Sequence, residues 1–525
     1  MKQVFLKIKT VLENLVQLTG AKGALFYIIL GALTSLSFAP TGLFLLVFIS
    51  FPLLVRGLDF STTKGRAFYI GGWFALGLFS AGLHWVGFSF LAQTDVPAWG
   101  GYFAVLALAV ALSLFVALGF VVAQFFWRKS ALRILLFAIV WAVFEWLRGH
   151  MFTGLPWHLM AQIWSDTPVI MQSLSIVGSY GLSFLTVFVA ASPALFFNKL
   201  NVGRYYIFIS AALISSTVLV FGGVRLQQAE VSYFPDVRLR LVQANVPQLE
   251  KWTRENWSRN VNRHIGLSVD SWPEGGAPTH IIWPETAVPY YLDSRPDVRA
   301  DIMEALGGSV HLITGTPRLV RADSAGGVKN TQLYNSIVAL SPDAEVSMTY
   351  DKSHLVPFGE YVPLYGLLEA VGVTKMVAGS VGFSSGSGVK TENISGLPSF
   401  SPLICYEIIF PNFVRLSDAK WILNLTNDAW FGESFGPYQH FAQARFRAVE
   451  EGVSVVRVAG TGISAVIDPW GRVQGQINLA QQGYLDAKLP KPSLGLTPYS
   501  QYGDIIFLAL FLFSLGALTA LLRRE

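Results

Sequence analysis

Long apolar runs fill the chain up to about Gly223, give way to shorter ones, and return once from Ile505 to Leu522. A helix of about 17 to 25 apolar residues is long enough to cross a bilayer. On that measure the pattern predicts eight spans, near Ala24–Ala39, Leu43–Val55, Ala67–Leu91, Trp99–Trp127, Leu132–Leu147, Val169–Phe197, Tyr205–Gly223 and Ile505–Leu522. Between the last two the pattern changes. Short β-rich runs begin at Leu239, Thr279, Val310, Leu333, Met348, Ser401, Trp421, Val453 and Ile463. Helical spacing predicts helices over Thr253–Val269, Asp297–Leu306 and Pro437–Glu451. Several runs are almost continuously apolar, which suits a sheet buried on both faces, and the alternation indicates a layered α/β domain.

Composition agrees with a membrane protein: 52 % of the 525 residues are hydrophobic and 14 % charged, more apolar than a soluble chain usually is. Lysine and arginine set the orientation, because short cytoplasmic loops are enriched in them. Lys2, Lys7, Lys9 and Lys22 precede the first span; Arg56, Lys64 and Arg66 follow the second; Arg128, Lys129 and Arg133 follow the fourth. Lys199 and Arg204 follow the sixth, and Arg523 and Arg524 follow the eighth. With eight spans every cluster falls on one side, so both termini are expected in the cytoplasm and Arg225–Tyr502 outside it. A cleaved leader is disfavoured, since a further span starts directly after Pro40. The expected organisation is a membrane bundle over 1–224, an external soluble domain over 225–502, and a closing anchor with a cytoplasmic tail over 503–525. The net charge of +5 is accounted for by the loop bias and calls for no nucleic-acid partner.

Candidate chemistry starts from the single cysteine, Cys405, which can form no intramolecular disulfide. An unpaired thiol outside the cytoplasm reads as a reactive group or as a small core hydrophobe. Polar residues that end apolar strands tend to face the crevice at the strands' carboxyl edge. Four runs end this way: HIIW at Pro284 and Glu285, SMTY at Asp351, Lys352 and His354, PLI at Cys405, Tyr406 and Glu407, and WILNLT at Asn427 and Asp428. A thiol is mostly protonated at neutral pH and needs a base, for which Glu285 is suited. A lysine beside the reacting carbonyl stabilises the oxyanion, which suits Lys352. In the bundle, Glu145 and Arg148 are spaced to pair, and His84 reads as a packed histidine. The aromatics of Gly149–Pro168 read as interfacial anchors.

The runs IIWPETA, YDKSHLVPFGEY and LICYEIIFP, in that order, resemble the Glu-Lys-Cys motifs of the nitrilase superfamily, and VRVAGTGISAVIDPWGRV resembles its C-terminal strand pair. With the flanking spans, the chain resembles the apolipoprotein N-acyltransferases of bacterial inner membranes. The resemblance implies an αββα sandwich on the periplasmic side, with Glu285 as base, Lys352 as oxyanion stabiliser and Cys405 as nucleophile. It further implies support of the triad by Glu360, a part for Tyr406 near the oxyanion and for Glu407 near the thiol, though Glu407 equally reads as a salt-bridged strand-end residue. The implied substrates are a phospholipid acyl donor, phosphatidylethanolamine above all, and a diacylglyceryl apolipoprotein acceptor. The apolar stretch His354–Ala378, with Leu355, Phe358, Tyr361, Leu364 and Tyr365, reads as a lipid-facing lid or as a loop packed on its own domain. Amide formation from a thioester runs downhill, so no cofactor or metal is expected, and a monomer is. A membrane-tethered amidase is the alternative reading. A transporter is disfavoured by the scarcity of ionisable residues in the spans.

Overall fold

The computed structural model describes residues 2–92, 97–197, 202–272, 276–322, 330–361, 363, 382–414, 418–493 and 495–523. The chain forms two compact units, one of Met1–Val86, Tyr102–Ala229 and Thr497–Glu525, the other of Gly87–Gly101 and Glu230–Leu496.

The first unit is helical: α1 (Lys2–Gln17), α2 (Gly20–Ser35), α3 (Val47–Phe60), α4 (Lys64–Gly82), α5 (Gly100–Phe126), α6 (Arg133–His150), α7 (Leu174–Ala191), α8 (Val202–Gln227), α12 (Pro498–Tyr502) and α13 (Ile505–Leu522), with Gly100 and Gly101 of α5 counted in the second. Helices stand at all eight positions where the apolar runs predict spans. Among the described residues four are by themselves long and apolar enough to cross a membrane, or six if two bent helix pairs each count as one span. Of the other two, α3 has 14 residues, and α6 carries Arg133, Glu145 and Arg148. Helices α2 and α4 touch backbone to backbone: a Cβ on Gly31 would lie 1.9 Å from the Phe74 oxygen, and one on Gly77 2.0 Å from the Ile28 oxygen. Small residues permit such approach where the hydrophobic effect cannot drive it.

Three expectations for this unit change. Arg56 and Arg133, counted above as loop cations, converge on buried Asp59 at 2.7 and 2.9 Å. Glu145 and Arg148 do not bond to each other. Arg148 donates to the backbone oxygens of Leu155, Trp157 and His158, while Glu145 accepts from Met160 N and the Trp141 indole. Together they fasten the segment that follows α6. Trp157 and Trp164 in that segment are buried, so they are core residues of the unit and not interfacial anchors. His84 is partly buried, with Nδ1 2.8 Å from the Ala81 oxygen.

In the second unit two sheets lie face to face. One has the order β11-β1-β2-β3-β4-β5 and the other β10-β9-β8-β7-β6. The strands are β1 (Tyr233–Gln243), β2 (His280–Ile282), β3 (His311–Ala322), β4 (Asn330–Leu340), β5 (Val346–Asp351), β6 (Phe400–Ile404), β7 (Trp421–Thr426), β8 (Ser454–Ala459), β9 (Ser464–Ile467), β10 (Val473–Ile477) and β11 (Gly483–Pro490). Alternation along each strand sorts the side chains. Leu239, Leu241, Ile282 and Ile337 meet Ile404, Leu423, Leu425 and Val456 in the core between the sheets. Val242, Ile281, Trp283 and Leu312 point the other way, onto α9 (Trp257–Val269) and α10 (Pro296–Ala305). Helix α11 (Phe435–Glu451) covers the second sheet along β8. The result is an αββα sandwich, the nitrilase-like architecture. The parallel strands β1, β2, β6 and β7 end at one edge of the sandwich, and the site is built there.

Candidate active site

Strand β6 is buried throughout, and Cys405 follows it at once. Its φ is +51°, the left-handed region that costs a non-glycine residue energy and that surrounding structure must enforce. The enforcing group is Glu407, two residues on. One of its oxygens accepts from Ile404 N at 2.7 Å; the other accepts from Ser353 N at 2.8 Å and His354 N at 3.0 Å. The Tyr350 hydroxyl lies 3.0 Å from both. No cation is among these partners, so Glu407 is not the salt-bridged residue that was one expectation. It ties the end of β6 to the end of β5, and burial raises its carboxyl pKa.

Lys352 comes off the end of β5, and its N–H bonds to the Asn335 oxygen at 2.8 Å. Its ammonium is buried against Glu360 at 2.9 Å. Glu360 in turn accepts from Val356 N at 2.8 Å. Glu285 follows β2 by way of Trp283 and Pro284. The Asn335 amide donates to Glu285 Oε1 at 2.7 Å and to Glu360 at 3.2 Å, so one asparagine on β4 links both carboxylates. Thr286 turns the chain with φ +48°, and β3 presses on this turn at Gly315. A Cβ there would lie 2.3 Å from Thr286 N and 2.6 Å from Glu285 Cα. Gly315→Ala is therefore expected to displace Glu285 and lower kcat at least tenfold while KM changes little, which steady-state kinetics checks; an ångström of misplacement can cost about 100-fold.

Behind the thiol lies a buried polar cluster. His440 on α11 has Nε2 3.2 Å from the Cys405 backbone oxygen and Nδ1 2.9 Å from Asp428; the ring nitrogen that faces a carbonyl must carry a proton. Arg457 on β8 meets Asp428 at 2.7 Å and Asn424 at 2.5 Å. Cys405, Asp428 and His440 bring one ligand atom each within 4.8 Å of one another. Asp428 and His440 bond to each other, and the guanidinium of Arg457 reaches both, lying 3.1 Å from the imidazole. Arg457→Leu strands a buried carboxylate and is expected to cost about 3 kcal/mol or more, measured as a drop in thermal unfolding temperature in detergent.

The electrostatics separate the roles. Burial and the Glu285 charge push the Cys405 thiol up to about 12 against the pull of Lys352, so it rests protonated. Burial also raises the Glu285 carboxyl, which Lys352 partly offsets. Burial alone would lower Lys352, but the Glu360 and Glu285 carboxylates outweigh it and hold the ammonium charged. The site thus joins a protonated thiol, a carboxyl whose pKa is raised and a fixed cation. Such a set can pass a proton from sulfur to carboxylate while the cation meets an oxyanion.

Tyr406 packs edge-on with Phe410 and His354, and burial raises its phenol pKa. Of the expected lid, Leu355 is buried, Tyr361 partly buried, and Phe358 44 % exposed with φ +61°. Leu364 and Tyr365 lie outside the described residues. Sequence reasoning missed Asn335, His440, Arg457 and Lys251. Arg457 left a signal, a charge inside the apolar run VSVVRVA; Lys251 left none.

Two family models match this chain: Apolipoprotein N-acyltransferase N-terminal domain over residues 30–192, and Carbon-nitrogen hydrolase over residues 238–499. A protein of Rhodopseudomonas palustris named Apolipoprotein N-acyltransferase is 38 % identical, over 96 % of each chain. One of the same name from Bradyrhizobium diazoefficiens is 40 % identical, over 99 % of this chain and 98 % of the relative. The chain belongs to the apolipoprotein N-acyltransferase family. A third member, from Agrobacterium fabrum, is 37 % identical over 96 % of this chain and 98 % of its own. The matches to these relatives run through both units of the chain, since each covers 96 % or more of it.

Proposed function

We propose that this chain moves a fatty acyl group from a phospholipid to the N-terminal α-amine of a diacylglyceryl-cysteine lipoprotein, by a ping-pong route through a thioester on Cys405. The carrying observation is the buried constellation of Cys405 in a left-handed turn beside the electrostatically coupled Glu285 and Lys352. In the first half-reaction Sγ bonds to the ester carbonyl carbon, Glu285 takes the thiol proton, and Lys352 stabilises the oxyanion. The carbon–oxygen bond then breaks, and lysophospholipid leaves with the proton from Glu285. In the second, the α-amine attacks the thioester, Glu285 takes a proton from nitrogen, and the carbon–sulfur bond breaks to release amide and thiol. Glu360 holds Lys352, Glu407 holds the two strand ends together, and Tyr406 lines the oxyanion side. Phe358, which is exposed, and Tyr361, which is partly exposed, belong to a lipid-facing lid.

Residues 225–502 carry this chemistry on the periplasmic face of the inner membrane, while 1–224 and 503–525 supply eight spans. The bundle makes sense because both substrates are lipid-anchored: each acyl CH2 exposed to water costs about 0.8 kcal/mol. Phosphatidylethanolamine is the donor, the enzyme is a monomer, and neither cofactor nor metal takes part.

The test is the intact mass of detergent-purified protein after incubation with phosphatidylethanolamine alone. A fatty-acyl increment is expected, and it should vanish when an amine-terminated diacylglyceryl peptide is added. Free fatty acid without any adduct would favour the amidase-like hydrolase instead. The reading also sets a pH dependence. Glu285 works ionised and its carboxyl lies above the usual range, so kcat/KM for acylation should rise with pH through that raised value. The acid limb should disappear in Glu285→Gln.

A further inference from the structure

Lys251 stands in the site without a part in the scheme above. It ends a single helical turn, Gln248–Lys251, that begins just past the carboxyl end of β1. This turn is held from the second sheet, because the Asn427 amide beyond β7 donates to Gln248 Oε1 at 2.8 Å. Lys251 is 7 % exposed. Its Nζ donates to the backbone oxygen of Glu285 at 2.8 Å, and among the described residues no carboxylate lies within ion-pair distance of it.

A buried ammonium bonded only to a neutral carbonyl is unfavourable unless a nearby negative charge compensates it. The ionisable groups facing Lys251 are Glu285, Cys405 and His264 of α9; Lys352 and Glu360 also act on Glu285. The compensating charge is therefore the Glu285 carboxylate. Burial brings the Lys251 ammonium down to about 8 against the pull of Glu285 and Cys405, so it remains mostly charged at neutral pH. Its position also bears on geometry, since the carbonyl it holds lies immediately before the left-handed turn at Thr286.

We propose that Lys251 is a positioning residue for the general base: its ammonium fixes the Glu285 backbone and its charge favours the ionised carboxylate. This rests on Glu285 acting as the base. With Lys251→Met, the acid limb of kcat/KM for acylation should move up by about one pH unit. The rate would fall several-fold on the acid limb and approach the wild-type plateau at higher pH. Lys251→Arg should keep the limb near its wild-type place. Lys251→Gln retains a donor for the Glu285 carbonyl without the charge, so it should shift the limb as Met does; it also serves if the Met variant does not fold.

Because Cys405 is the only cysteine, alkylation by iodoacetamide reports on that thiol alone and gives a readout apart from turnover. It should slow in Lys251→Met and Lys251→Gln and not in Lys251→Arg. A rate lowered equally at every pH, with limb and alkylation unmoved, would overturn the proposal and leave Lys251 a packing residue. If Glu285→Gln keeps the acid limb, the assignment of the base fails instead, so the two failures are told apart.

Discussion

Cys405→Ala is expected to make no acyl-enzyme and no product, with turnover at least about 10⁴-fold below wild type, the scale on which loss of a covalent nucleophile falls. Neighbouring groups cannot take over. Among the described residues the site's other amines, Lys352 and Lys251, are a charged, carboxylate-paired ammonium and one bonded to a carbonyl. The fold should survive, because Glu407 and the backbone donors of Ile404, Ser353 and His354 do not depend on the thiol. Intact mass after phospholipid exposure, beside a thermal unfolding scan, is the check. A fatty-acyl adduct on the variant would remove Cys405 from the mechanism.

The second large effect is expected for Lys352→Met. In the proposed mechanism the oxyanion loses its cation, which should cost about 100- to 1,000-fold in kcat, and Glu360 loses its ion pair at 2.9 Å. Removing one partner of a buried pair destabilises by about 3 to 5 kcal/mol. The pH dependence gives this a sign. Lys352 lowers the raised Glu285 carboxyl, so its removal lifts that carboxyl further. A carboxyl whose pKa is higher in the folded than in the unfolded state favours folding at low pH and loses that contribution as pH rises. The variant's deficit should therefore be larger at pH 8 than at pH 5, as measured by thermal unfolding in detergent at both values. A deficit independent of pH would mean that Lys352 and Glu285 are not coupled.

Much of this site was legible because strand ends have a signature. An apolar run that stops at a charged or nucleophilic residue marks both a buried strand and what it presents, and β2, β5, β6 and β7 all do so. Nine runs predicted nine strands. The two that escaped notice, β10 and β11, lie at sheet edges and are partly exposed along most of their length, so no apolar run marks them. Lys251 and Asn335 escaped for another reason: only the fold brings a turn after β1 and a mid-strand amide on β4 to Glu285. Glu145 and Arg148 show the limit of spacing arguments. Their separation permits a pair, but unsatisfied backbone groups in the following segment compete and take both side chains.

The pairing of β1 with β11, Gln243 opposite Gly483, also shapes how the protein is made. Residues synthesised early in this unit wait for their neighbour until Gly483–Pro490 has been made. At about 5 to 20 residues per second, that is on the order of ten seconds or more. Throughout, β1 offers a bare row of backbone donors and acceptors to any passing chain. Nascent molecules should accordingly be vulnerable to a stall or stop codon anywhere before Gly483, and exposure of this edge should end only once β11 is in place.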